Sequence, residues 1–115
     1  VENYLKNLAK EEFTNTANSY CDKLGVSYSK IKLRDPRSRW GSCSFNGNLM
    51  FSWRLIMAPK NIIRYLVAHE VAHLKHFNHS IDFWTAVFFL FGPYENERKW
   101  LRTEGTKLHF YKFKG

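Results

Sequence analysis

His69-Glu70-Val71-Ala72-His73 sets two imidazoles four residues apart with a carboxylate beside the first. In a helix, positions i and i+4 share one face, about one turn apart. That separation suits two nitrogen ligands on a single divalent ion. Glu70 is turned by about 100° from His69, so its carboxylate stands beside such an ion and can take a proton from a water bound to it. This is the H-E-x-x-H logic of metal-dependent hydrolases.

Two ligands do not complete such a site, because catalytic zinc takes three protein ligands and leaves one position for water. Of the five histidines, four fall between positions 69 and 79, so His76 and His79 are the candidates for the third. In a straight helix His76 would sit about 10 Å along the axis from His69, too far for both to reach one ion comfortably. Asn78-His79-Ser80 breaks the helical pattern, and the chain can fold back there, which favours His79. His76 then reads as a surface histidine near a helix C-terminus, where positive charge is favourable.

The elements that must position these residues follow from periodicity. Ile62, Ile63, Leu66, Val67, Val71 and Leu74 recur at helical spacing, and Pro59 suits a first turn, so the motif helix is expected from about 59 to 77. Ser80 is a good N-cap, with Asp82 in the first turn of the next helix, about 81 to 91. That helix is apolar nearly all round and is expected to be buried; Gly92-Pro93 stops it. A charged helix, about 94 to 104, follows with Trp100 and Leu101 facing inward, and Leu108 to Phe113 alternates as a short strand or packed tail. Toward the N-terminus, Leu5, Leu8, Phe13, Ala17, Tyr20, Cys21 and Leu24 mark an amphipathic helix over 3–24 that ends at Gly25. Val26 to Arg34 alternates as a strand, irregular near Ser29, and Asp35-Pro36 turns it. Asn46-Gly47 marks a hairpin turn. Asn48 to Leu55 is its second strand, with Leu49, Phe51 and Trp53 on one face and Met50, Ser52 and Arg54 on the other. The fold class is α+β: a small antiparallel sheet or hairpin against several helices.

With 115 residues, 44% of them hydrophobic, the chain fits one domain spanning 1–115. It begins at Val1, as a piece excised or truncated from a longer chain would. No apolar run approaches the roughly 20 residues that cross a bilayer, so no membrane partner is expected. Cys21 and Cys43 have no C-x-x-C spacing, and without a secretory signal they fit a reducing cytoplasm. The formal net charge of +8 permits attraction to nucleic acid, although the cations are spread without a polybasic block.

Arg37-Ser-Arg-Trp-Gly-Ser-Cys-Ser44, Gly47-Asn-Leu-Met-Phe-Ser52, Val67-Ala-His-Glu-Val-Ala-His-Leu74 and Asn78-His-Ser-Ile-Asp-Phe-Trp84 together resemble the YgjP-like metal-dependent hydrolases. These are zincin-type metallopeptidase domains related to the SprT-like proteins. The likeness runs from about Ile31 to Leu101. It implies a zincin-like fold, His69, His73 and His79 as zinc ligands, one Zn2+ per chain, and Glu70 as catalytic base. The expected reaction is hydrolysis of a peptide bond by Glu70-assisted attack of a metal-bound water, in a monomer acting on peptide or protein. Arg37 and Arg39 are candidates for stabilising the oxyanion, with Tyr94 as a further one. In zincins a strand edge beside the helix pairs with extended substrate, and the Asn48–Arg54 strand is the candidate edge. Trp40 and Trp84 are expected to pack around the site. The alternative is a nucleic-acid-associated protease or DNA-binding module using the basic surface, with the metal partly structural. A non-enzymatic interaction domain with a coincidental motif would hold no stoichiometric metal.

Overall fold

The computed structural model describes residues 1–35 and 39–103. The first helix, α1 (Glu2–Leu24), buries Ala9, Phe13, Ala17 and Cys21. These recur every fourth residue, so they form one ridge inclined to the helix axis. The two alanines let neighbouring elements come close. Gly25 ends α1 with φ 76°, and its N–H and that of Val26 both donate to the Cys21 carbonyl. A left-handed residue of this kind is cheapest as glycine.

Three strands follow: β1 (Lys30–Arg34), β2 (Gly41–Cys43) and β3 (Asn48–Ser52). Their spatial order is β1-β3-β2. β3 pairs parallel with β1, setting Ile31 opposite Leu49 and Leu33 opposite Phe51. It pairs antiparallel with β2, setting Gly41 opposite Phe51 and Cys43 opposite Leu49. The sheet is therefore mixed, because the chain crosses from β1 to the far edge before the hairpin returns it to the centre. Leu49 and Phe51 are fully buried, and the Phe51 ring stacks on Phe13 of α1 with centroids 4.6 Å apart. The strand expected from Val26 begins only at Lys30: the Ser29 N–H donates to the Gly47 carbonyl and its hydroxyl to the Asn46 carbonyl, which ties the entry of β1 to the hairpin turn.

The expected strand to Leu55 stops at Ser52, and Trp53–Met57 forms a 3-10 helix. Trp53, Arg54 and Leu55 are all buried, which strand alternation does not allow. Arg54 can be inside because its guanidinium makes a two-pronged bond with Asp35, Nε to Oδ1 at 2.6 Å and Nη2 to Oδ2 at 3.0 Å. That pair also fixes where the chain leaves β1.

The central helix, α2 (Lys60–His73), buries nine of its residues. It packs against α1, α3, α4 and β2. It is shorter than its periodicity suggests: the chain leaves it at His73, four residues before Phe77. In α3 (Ile81–Phe91) the Ser80 hydroxyl accepts from the Phe83 N–H, as an N-cap should. Its expected burial on all sides is corrected: Phe83, Ala86, Val87 and Leu90 are buried, whereas Ile81, Phe88 and Phe89 are exposed. Among the described residues packing is supplied on one face, so the remaining aromatics stay outside it, with the Lys23 ammonium over the Phe89 ring. α4 (Glu95–Thr103) is tied to α2 by Asn61 Nδ2 donating to Glu97 Oε2 at 2.8 Å. Trp100 and Leu101 pack partly buried on the core. The expected strand at 108–113 lies outside the described residues. Among the described residues no helix is long and apolar enough to cross a membrane, and both cysteines are free thiols.

Phe13 joins α1 to the central strand. Phe13→Ala is expected to lower unfolding stability by about 3–5 kcal/mol, read from a urea melt.

Candidate active site

Early termination of α2 creates the site. His69 and His73 project from the last turns of α2 on its half-buried face, and the loop to α3 doubles back to bring His79 beside them. One ring nitrogen of each histidine lies within 4.8 Å of the others. No other group of His, Cys, Asp and Glu side chains converges this way among the described residues. His79 Nε2 is 3.1 Å from His73 Nε2. His76 contributes through its backbone: its carbonyl accepts from His73 Nδ1 at 3.1 Å. Its ring turns away and lines a separate hollow with Lys23, Lys75 and Asp82.

This arrangement fits a metal ion. The bond from His73 Nδ1 to a carbonyl fixes the tautomer, so Nε2 keeps its lone pair directed at His79. His69 Nδ1 is buried without a hydrogen-bond partner; Glu70 Oε2 is 3.4 Å away but out of hydrogen-bond alignment. Burial pushes the His73 and His79 pKa values below the ordinary 6.5. For His79 the neighbouring His69 acts in the same direction. Both rings are therefore neutral at pH 7, the form that offers a lone pair.

Phe83 is the floor of the cluster. Its ring is fully buried, with its centroid 5.0 Å from His69, 4.4 Å from His73 and 4.9 Å from His79. Trp84 closes one side at 5.8 Å from His69 and 5.7 Å from His79, the packing role expected of it. Spacing alone does not single out Phe83, although the Ser80 cap puts residues 83 and 84 in the first turn after His79.

Glu70 is buried, and β2 lies against it. A Cβ on Gly41 would stand 3.3 Å from both Glu70 Cγ and Oε2, and 3.0 Å from the Met50 carbonyl oxygen. Glycine at this position is what lets the strand backbone approach the carboxylate. A cleft of about 360 Å3 opens here, lined by Gly41, Ser42, Cys43, His69, Glu70, His73, Phe77 and His79. The strand edge beside it is β2, which corrects the choice of Asn48–Arg54: β3 is central and paired on both sides. In the β2–β3 ladder the Ser52 N–H bonds the Trp40 carbonyl and the Ser44 N–H bonds the Asn48 carbonyl. Alternation therefore points the N–H and C=O groups of Gly41 and Cys43 away from β3, along the free edge. Burial, with Glu70 and Cys21 adding to it, pushes the Cys43 thiol up to about 11, so it is protonated at neutral pH.

The oxyanion candidates are Arg37, Arg39 and Tyr94. Arg37 lies outside the described residues, and Arg39 is exposed. Tyr94 stacks on Trp84 at 5.1 Å and on Tyr65 at 6.0 Å, one ring removed from the histidines. Arg98, which no sequence pattern pointed to, lies with its guanidinium 4.4 Å from the Trp84 ring centroid and helps depress the His79 pKa.

A buried carboxylate and three clustered imidazoles thus stand together beside a strand edge. The chain belongs to the YgjP-like metallopeptidase family, whose domain model matches residues 1–104. The fold is also that of two solved metallopeptidase zymogens. Abylysin of Pyrococcus abyssi superposes with a TM-score of 0.70 at 23% identity, covering 84% of this chain and 94% of that one. Jannalysin of Methanocaldococcus jannaschii gives 0.65 at 20% identity, covering 83% and 94%. No curated protein sequence matches the chain.

Gly41→Ala should displace Glu70 or the edge strand. Peptidase turnover is expected to fall roughly 10²-fold, the cost of misplacing a reacting group by about 1 Å, with metal content retained by elemental analysis.

Proposed function

We propose that His69, His73 and His79 hold one zinc ion per chain and that Glu70 is the general base of peptide-bond hydrolysis. The observation that carries this is the convergence of three imidazoles within 4.8 Å beside a buried carboxylate. When bound, zinc supplies Lewis acidity, bringing a water's pKa toward neutrality and polarising the scissile carbonyl. The protein's own residues do the rest. Glu70 accepts the water's proton and delivers it to the departing amine. Gly41 and Cys43 offer main-chain donors and acceptors to an extended peptide laid along β2. Phe83 and Trp84 keep the histidines in place and exclude water from their inner side.

Three variants test the assignment. Glu70→Gln is expected to keep its zinc and lose about 10²–10⁴-fold in kcat on an unfolded protein substrate. His79→Ala is expected to lose stoichiometric zinc, whereas His76→Ala, which keeps the backbone carbonyl that orients His73, retains it. Loss of zinc from His76→Ala with retention in His79→Ala would require a different ligand set.

A further inference from the structure

One end of the cleft carries an apolar surface that neither the metal cluster nor the core accounts for. Phe45 is 83% exposed and Phe77 is 48% exposed, yet their rings stack on each other, with centroids 5.1 Å apart and planes inclined by 23°. Phe77 lines the cleft together with β2 and the histidines. Phe45 stands on the β2–β3 turn, two residues beyond Cys43.

Neither ring is needed by the local fold. The Gly47 N–H donates to the Ser44 carbonyl, the Asn48 N–H to the Ser44 hydroxyl, and the Ser29 hydroxyl to the Asn46 carbonyl. Gly47 supplies the positive φ of 83°. Phe45 takes no part in these bonds, and a polar side chain would serve a turn better. Phe77 follows the end of α2 in a loop where burial is not on offer. Two phenylalanines from different elements therefore meet in water at the rim of a peptidase cleft. Apolar surface held this way marks a binding site.

From these observations we infer that Phe45 and Phe77 form a subsite for a large apolar side chain of the extended peptide substrate. The proposal deepens the peptidase reading of the cleft and rests on it. Gly41 lies over Glu70, so the reacting bond sits near that end of β2. Cys43 is about 7 Å further along the strand at the usual rise per residue, and the aromatic pair lies beyond it. A peptide paired with the free edge carries a side chain into the pair at roughly two to four residues from the bond being cut. Leucine, methionine or an aromatic residue would cover both rings and exclude water from their exposed faces. Such residues abound in unfolded or frayed protein segments and are scarce on folded surfaces, so the subsite selects exposed core sequence.

The test uses the full chain with zinc and a set of quenched-fluorescent decapeptides that share one cleavable centre. A single phenylalanine or serine is scanned through the flanking positions, and kcat/KM is measured for each. Wild type is expected to favour phenylalanine over serine by about tenfold at one distal position. In the Phe45→Ser/Phe77→Ser variant that ratio should fall to about one, while Phe45→Leu/Phe77→Leu keeps it. Equal cleavage of both series by wild type at every position would overturn the subsite and leave the peptidase reading intact. A ratio that survives in the double serine variant would overturn it as well, by placing the preference elsewhere. Failure of wild type to cleave any peptide would overturn both readings together.

Discussion

Three imidazoles rest against a single buried ring, and that contact constrains the rest of the structure. Phe83 lies within 5.0 Å, centroid to centroid, of His69, His73 and His79. For one ring to meet all three, α2 must stop at His73, the loop must return, and α3 must start at Ser80 with its first turn under the histidines. The packing also desolvates the rings, which lowers the pKa of His73 and His79. The contact that orders the cluster thus also favours the neutral form of these two rings. The backbone does the remaining orientation, through the bond from His73 Nδ1 to the carbonyl of His76.

A second constraint is the strand order. Because β3 is central, its Leu49 and Phe51 anchor the sheet to α1, and β2 is left as a three-residue edge beside α2. So short an edge offers little to a passing strand, yet it directs the main-chain groups of Gly41 and Cys43 along the cleft. The missing side chain at Gly41 sets the distance between that edge and the Glu70 carboxylate. The carboxylate and two of the imidazoles come from α2 itself, the third imidazole from the loop before α3 and the strand edge from β2.

What was legible in the sequence was local. The helical periodicity of α1, its glycine stop, the Ser80 cap and the H-E-x-x-H spacing are each fixed by neighbours within a turn or two. The helix break that sets His79 apart from His76 was legible too, and the fold brings the His79 ring, not that of His76, beside His69 and His73. The readings that changed depend on partners distant in sequence. Arg54 is inside because Asp35 reaches it, and no alternation pattern contains that pair. Phe88 and Phe89 are outside because, among the described residues, the helices that pack on α3 meet its other face. The edge strand was misplaced because the order β1-β3-β2 follows from a crossover that composition does not record. Phe83 stands inside the Asn78–Trp84 stretch, but only the folded chain shows that it touches all three histidines.

The most direct test of the central claim is X-ray absorption at the zinc edge of the metal-loaded protein. Three imidazole nitrogens and one light oxygen ligand, with distances of about 2.0–2.1 Å, are the predicted first shell. A sulfur scatterer at about 2.3 Å would bring Cys43 into the coordination sphere and contradict the open three-histidine site. A shell with only two imidazoles would contradict the role given to His79.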